Sequence, residues 1–240
     1  SIQTVAAGGR IAGSKNPVAD GDLADFIIVA ARTGKAGGED DISLFIVDVA
    51  AQGVTRTIIE TLDPTRAHAK IDFVNTPAEP LGPKGHGWRI LQDVLDRAAV
   101  LTAFEQVGGA DRALEMARDY ALDRMAFGRP IGSFQAIKHM LADMYVAATL
   151  ARSNAYYGAW ALSTGAAELP RAAATARVSA TQAFQLCAKN NIQTHGGMGF
   201  TWEFDCHLYY RRANLLALSL GSLSQWEDKL ITRMRATNAA

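Results

Sequence analysis

This sequence predicts an α+β chain: an antiparallel β segment followed by an up-and-down helical bundle. From Ser1 to about Pro83, short apolar runs are punctuated by Gly, Asp, Asn and Pro, the texture of strands joined by turns. That texture stops at Pro83-Lys84-Gly85-His86-Gly87. The remainder holds two internal prolines, Pro130 and Pro170, and is rich in Ala, Leu, Met and Arg, as long helices require.

Phe26 to Ala31 and Ile42 to Val47 are the clearest strands, and the Gly- and charge-rich stretch from Thr33 to Asp41 between them predicts an antiparallel pair with an exposed loop. Ile71 to Val74 is a further short strand. A long helix is expected from about Trp88 to Arg124, with Gly108-Gly109 inside it permitting close packing or a bend. A second runs from about Ser133, as N-cap, to Ser163, with Ile137, Met140, Met144, Ala148 and Ala151 on one face. The third starts near Pro170, in the first turn, and carries Ala173, Ala176, Ala180, Ala183 and Cys187 as a stripe of small residues that allows close helix approach. Two shorter helices cover Phe204 to Leu218 and Ser222 to Arg235. Long helices joined by short Gly/Pro connections make an up-and-down bundle.

Composition narrows the functions. The chain is 49% hydrophobic and 20% charged, with 24 Lys plus Arg balanced by 24 Asp plus Glu. No overall field draws it to nucleic acid or an anionic membrane. No run of apolar residues is long enough for a membrane span, and the start SIQTVAAGG lacks the features of a secretory signal. A cytoplasmic location is expected, unless targeting residues precede Ser1. Cys187 and Cys206 lack CxxC spacing and read as buried free thiols. The five histidines show no metal spacing, and no metal is expected.

Three connecting segments hold more Gly, Arg, Gln and aromatic residues than a bundle needs. They are Asp123 to Gln135, Gln193 to Glu203, and the turn Leu220-Gly221-Ser222. A Gly-Gly-x-Gly turn exposes N–H groups to a phosphate, and Arg124 offers a planar fork for a pyrophosphate. Gln135 and Gln193 both donate and accept, as a purine or flavin edge requires. The competing reading is that the glycines only end one helix and begin the next, with Arg124 and Arg129 as surface charges. Spacing alone favours that plainer reading.

Taken together, RMAFGRPIGSFQAI, QTHGGMGFTWEFDCHLYYRRA and GSKNPVADGDLADFIIVAAR followed by ISLFIVDVAAQGV resemble the acyl-CoA dehydrogenase family. Asp63-Pro64-Thr65-Arg66 is similar to its central Asp/Arg turn. These segments cover nearly the whole chain in the family's order. The resemblance implies that residues 1–83 are part of the middle β-domain, that residues 84–240 are the C-terminal bundle serving FAD binding and oligomerisation, and that the N-terminal helical domain is absent. It implies FAD as cofactor, an acyl-CoA as substrate, an electron-transfer flavoprotein as acceptor and a homo- or hetero-oligomer, dimeric or tetrameric. By the same resemblance Arg124 contacts the FAD pyrophosphate. Phe134 and Gln135 line the cofactor across a subunit interface, Phe127 packs there, and Gln193, Gly196 and Gly197 cradle the adenosine side.

The family's reaction removes an α-proton and a β-hydride from an acyl-CoA thioester, leaving the trans-2-enoyl-CoA and reduced FAD. A carboxylate in a desolvated pocket takes the proton. The family places that glutamate in a Tyr-Glu-Gly-Thr turn, which aligns with Ser219-Leu220-Gly221-Ser222 here, or in the first long helix at a position that aligns with Ala98. Neither Leu220 nor Ala98 can act as a base. Glu105 lies about two turns beyond Ala98 on the same face. It is either a displaced base or a structural group satisfied by a neighbouring helix end or arginine, with the second favoured. Asp96 is expected on another face as a surface charge, His195 in a loop and His139 on a helix surface, and Glu203 is ordinary for the family. The leading expectation is an FAD-dependent acyl-CoA dehydrogenase. The alternatives are a non-catalytic subunit that completes a neighbour's flavin site, and a bundle kept only for assembly.

Overall fold

The computed structural model describes residues 2–34 and 37–238, and forms two compact units, Ser1–Val94 and Leu95–Ala240. The first is built on a seven-stranded sheet of order β5-β6-β2-β1-β3-β4-β7. Its strands are β1 (Val5–Ala7), β2 (Arg10–Ala19), β3 (Phe26–Arg32), β4 (Ile42–Asp48), β5 (Val54–Ile59), β6 (His68–Pro77) and β7 (Glu79–Leu81). The expected pair is β3 and β4, antiparallel from Phe26↔Asp48 to Arg32↔Ile42. Two residues of their connection, 35 and 36, lie outside the described residues, as does Ser1. Ile71 to Val74 is the middle of the longer β6, which pairs antiparallel with both β2 and β5. One pairing departs from the antiparallel expectation, since β1 meets β3 in parallel at Val5↔Arg32. Sheet alternation places Ile27, Val29 and Ala31 in a core with Ile11, Phe45, Val47, Ile71 and Phe73. In the Asp63 to Arg66 turn, Asp63 Oδ1 accepts from Thr65 N (3.0 Å) and Thr65 Oγ1 (2.5 Å), and Arg66 pairs with Asp20 at 2.9 Å.

The helices are α1 (Gly87–Asp123), α2 (Gln135–Thr164), α3 (Leu169–His195), α4 (Cys206–Leu218) and α5 (Leu223–Asn238). Their directions follow from side-chain contacts. Tyr120, near the end of α1, stacks on His195, the last residue of α3. Thr194 of α3 bonds Met140, early in α2, and Arg171 at the start of α3 reaches Tyr157 late in α2. Helices α1 and α3 therefore run one way and α2 the other. The predicted stripes are the buried faces: Met144, Ala148 and Ala151 on α2, and Ala173, Ala176, Ala180, Ala183 and Cys187 on α3. Of the glycine pair in α1, Gly109 serves close packing. A Cβ there would stand 2.4 Å from the Phe184 ring, whereas one at Gly108 would meet open space.

Ser133 is not the N-cap of α2. It belongs to a short 3-10 turn, Ile131–Ser133, and its Oγ donates to Pro130 O (2.7 Å). The hydroxyl is used locally, and Phe134 caps the helix through extended backbone without a side-chain bond. Pro170 does stand in the first turn of α3, where its missing N–H has no helical partner to lose. Among the described residues no helix is long and apolar enough to cross a membrane.

Both cysteines are free and buried, and burial pushes Cys187 up to about 12 and Cys206 up to about 11. The native state therefore holds neutral thiols where the unfolded chain ionises, so stability present below pH 9 falls as pH rises from there through those values. Neither thiol should react with a thiolate-selective disulfide reagent at pH 8 until the chain is unfolded. Rapid labelling of the native chain would contradict this burial.

Candidate flavin and substrate sites of the helical unit

Two connections meet at the end of the bundle where Tyr120 stacks on His195 at 4.1 Å and Phe204 packs edge-on against both rings. His195 is not a loop residue: it is buried in the last turn of α3, its Nδ1 is 2.9 Å from Asn191 O, and burial holds its pKa below the ordinary histidine value. It pins the start of the Gly196–Phe200 turn.

The first connection is a tight hairpin of β8 (Met125–Ala126) and β9 (Arg129–Pro130). Phe127 and Gly128 at its tip have φ of 52° and 77°, the left-handed pair that a two-residue hairpin turn demands. Glycine is natural there, whereas a phenylalanine is strained, and the residue is 96% exposed. Phe127 meets Phe134 edge-on at 6.2 Å, and the Arg129 guanidinium lies 4.1 Å from the Phe134 ring centroid. Arg124 follows α1 directly. Its backbone is fixed at both ends, by N–H to Tyr120 O (2.9 Å) and by its carbonyl accepting from Ile131 N (2.8 Å), while the residue is exposed. Gln135, the first residue of α2, is also exposed.

The second connection begins at Gly196, with φ 59°, whose N–H donates to Gln193 O. Gln193, Gly196 and Gly197 are exposed, with open space beside both glycines. Among the described residues no hydrogen bond, ion pair or ring contact joins this turn to Arg124, Phe127, Phe134 or Gln135. The end of the bundle thus offers exposed guanidinium, amide and backbone donors beside aromatic faces. That donor set fits a group combining a pyrophosphate with planar rings.

Elsewhere in this unit lies the turn between α4 and α5. Leu220 has φ 62°, and its carbonyl accepts from Trp226 Nε1 (3.1 Å). Ala98 on α1 is half-buried, and neither position carries a carboxylate. Glu105 is exposed and faces Arg212, its Oε1 3.7 Å from Arg212 Nε. Asp96 corrects the sequence expectation, being buried rather than a surface charge. Its Oδ2 accepts from Arg233 Nη2 (2.9 Å), and Arg233 Nη1 donates to Pro170 O (2.6 Å), so the pair ties α1 to α3 and α5. Sequence reasoning missed Arg177, Gln106 and Trp226. The available signal was an arginine on the small-residue face of α3, four residues after Ala173 and three before Ala180.

Residues 85–224 match the family model described as acyl-CoA dehydrogenase, C-terminal domain. The chain belongs to the acyl-CoA dehydrogenase family. It is 42% identical over 197 residues to the acyl-CoA dehydrogenase IpdE2 of Mycobacterium tuberculosis, covering 82% of this chain and 53% of that protein. Among solved structures, an FAD-dependent dehydrogenase superposes with a TM-score of 0.92 at 26% identity over 98% of this chain and 65% of that one. The Tcur3481-Tcur3483 steroid ACAD G363A variant gives 0.85 at 28%, over 99% of this chain and 63% of that one. The chain spans about half the length of the IpdE2 relative.

Proposed function

We propose that this chain is the flavin-binding and substrate-facing part of an FAD-dependent acyl-CoA dehydrogenase that converts an acyl-CoA thioester to the trans-2-enoyl-CoA. Residues 1–83 would be part of its middle β-domain, and residues 84–240 its flavin-binding and oligomerisation bundle. The observation that carries the reading is the set of exposed donors and aromatic rings on the two connections at one end of the bundle. FAD, when bound, supplies the hydride acceptor. Arg124 would hold the pyrophosphate, Phe127, Phe134 and Gln135 the cofactor across a subunit interface, and Gln193, Gly196 and Gly197 its adenosine side. An electron-transfer flavoprotein would take the electrons onward. Because these groups are exposed, the 240-residue chain alone should purify with well under one FAD per chain.

The Arg124 assignment is tested against Arg118, which is exposed and already paired with Asp119 at 2.7 Å. In the product of the complete reading frame, Arg124→Ala should weaken FAD binding by about 1.5–3 kcal/mol, the worth of a hydrogen bond to a charged group, whereas Arg118→Ala should change it little. Equal FAD dissociation constants would remove Arg124 from the site.

A second reading is favoured by the missing carboxylate. With Leu220 and Ala98 at the base positions, the chain would complete the flavin site of a heteromeric enzyme whose partner subunit carries the glutamate. Glu105 is the carboxylate on Ala98's helical face that could serve as base, but its exposure and its Arg212 neighbour weigh towards a surface ion pair. Anaerobic flavin bleaching by a panel of acyl-CoAs, with and without Glu105→Gln, separates the cases. Slow bleaching unaffected by the substitution supports the two-subunit enzyme. Fast bleaching abolished by it would make Glu105 the base of a self-sufficient dehydrogenase.

A further inference from the structure

We propose that Arg177 is the positioning residue of the turn between α4 and α5, fixing the backbone on which residue 220 is presented. The catalytic consequence rests on the reading above, that this turn faces the thioester. Arg177 is 1% exposed, and among the described residues no carboxylate forms a salt bridge with it, although the charge of Glu105 acts on it from further off. A guanidinium so placed is costly unless its donors are met, and here both terminal nitrogens are met while the buried Nε has no hydrogen-bond partner. From α3 it reaches out of its own helix. Nη2 donates to Leu216 O and to Ser219 O (2.6 Å), and Nη1 donates to Gln106 Oε1 (2.7 Å). The two backbone carbonyls stand at the end of α4, where a helix leaves its last carbonyls unpaired and gathers negative partial charge. Those carbonyls do for Arg177 what a carboxylate would do elsewhere.

Gln106 is locked in turn. Its Nε2 donates to Thr181 Oγ1 (3.1 Å), and the Thr181 hydroxyl donates to Arg177 O (2.8 Å), so a buried circuit joins α1 and α3 beneath the turn. One residue past Ser219, Leu220 enters the left-handed region, which disfavours a side chain with a Cβ. Such a conformation persists only where its surroundings over-determine it, and it gathers at functional sites. Here Arg177 fixes the carbonyl before Leu220, Trp226 Nε1 fixes the carbonyl of Leu220 itself, and Ser222 N is held by Gln225 Oε1 (2.9 Å). A turn that needed only to reverse the chain would be relaxed by glycine at position 220.

The indole N–H of Trp226 reports on this geometry with neither flavin nor acyl-CoA present, so its outcome is independent of the proposed reaction. The chain has four tryptophans, and in protein with 15N-labelled indoles Trp226→Phe identifies the signal in question. Arg177→Met should shift that signal and speed its hydrogen exchange at least about ten-fold, with the Trp160 and Trp202 signals unmoved. Arg177→Lys keeps the charge but not the fork and should fall between Met and wild type. A folded Arg177→Met chain with an unchanged Trp226 signal would overturn the proposal. Should the Met variant not fold, Arg177→Lys decides alone: a displaced Trp226 signal supports the clamp, and an unmoved one refutes it.

Discussion

Leu220→Glu should raise the rate of flavin bleaching by acyl-CoA about 10²–10⁴-fold in the product of the complete reading frame, the range associated with a positioned general base. The backbone of the turn tolerates the substitution. Residue 220 already holds φ 62°, where glutamate is no worse than leucine, and the bonds that fix the turn come from Arg177, Trp226 and Gln225 rather than from the Leu220 side chain. The half-buried position favours the neutral acid, while the charge of Arg177 opposes that shift, so the new carboxyl would be poised between the two influences. Leu220→Gln, of similar shape and unable to take a proton, should bring no gain. Equal rates for Leu220→Glu and wild type, with FAD content intact, would show that the turn does not face the substrate.

Phe184→Ala should cost about 3–5 kcal/mol of stability, measured by denaturant unfolding, since a fully buried ring would be removed from the contact of α1 with α3. The ring fills the space that Gly109 leaves, so the two positions should be coupled. Gly109→Ala alone places a methyl 2.4 Å from the ring and should cost about 1–3 kcal/mol through overpacking, reduced by the roughly 1 kcal/mol that alanine contributes to a helix. In a Phe184→Leu background the same Gly109→Ala change should become neutral or stabilising. Additive effects of the two substitutions would mean that Gly109 is not there to admit the ring.

The exposure of the two connections at the end of the bundle bears on both readings of function. Arg124, Gln135, Gln193 and the two glycines point no buried donor at each other, and Phe127 is held at the tip of a strained hairpin with its ring in solvent. Strain and exposure together are poor choices for stability. They suit a surface completed by another group, which is why flavin content, subunit composition and bleaching rate have to be measured on the same preparation.

Periodicity and turn chemistry in the sequence alone determined the fold class, the β3–β4 hairpin, the course of the long helices and the small-residue face of α3, because each depends on neighbours within a few positions along the chain. The family motifs were legible for the same reason, lying in unbroken segments around Phe127 and Gly196. Ser133 shows where local reasoning reached its limit, since its hydroxyl chose Pro130 O over the helix that follows. Tertiary structure alone decided the charged groups. Asp96 looked like a surface residue until Arg233, 137 positions away, closed over it. Arg177 found its acceptors 71 and 39 positions away, on α1 and at the end of α4. Whether a charge is buried depends on which distant donors and acceptors converge on it, and hydrophobic spacing along one helix carries no record of that convergence.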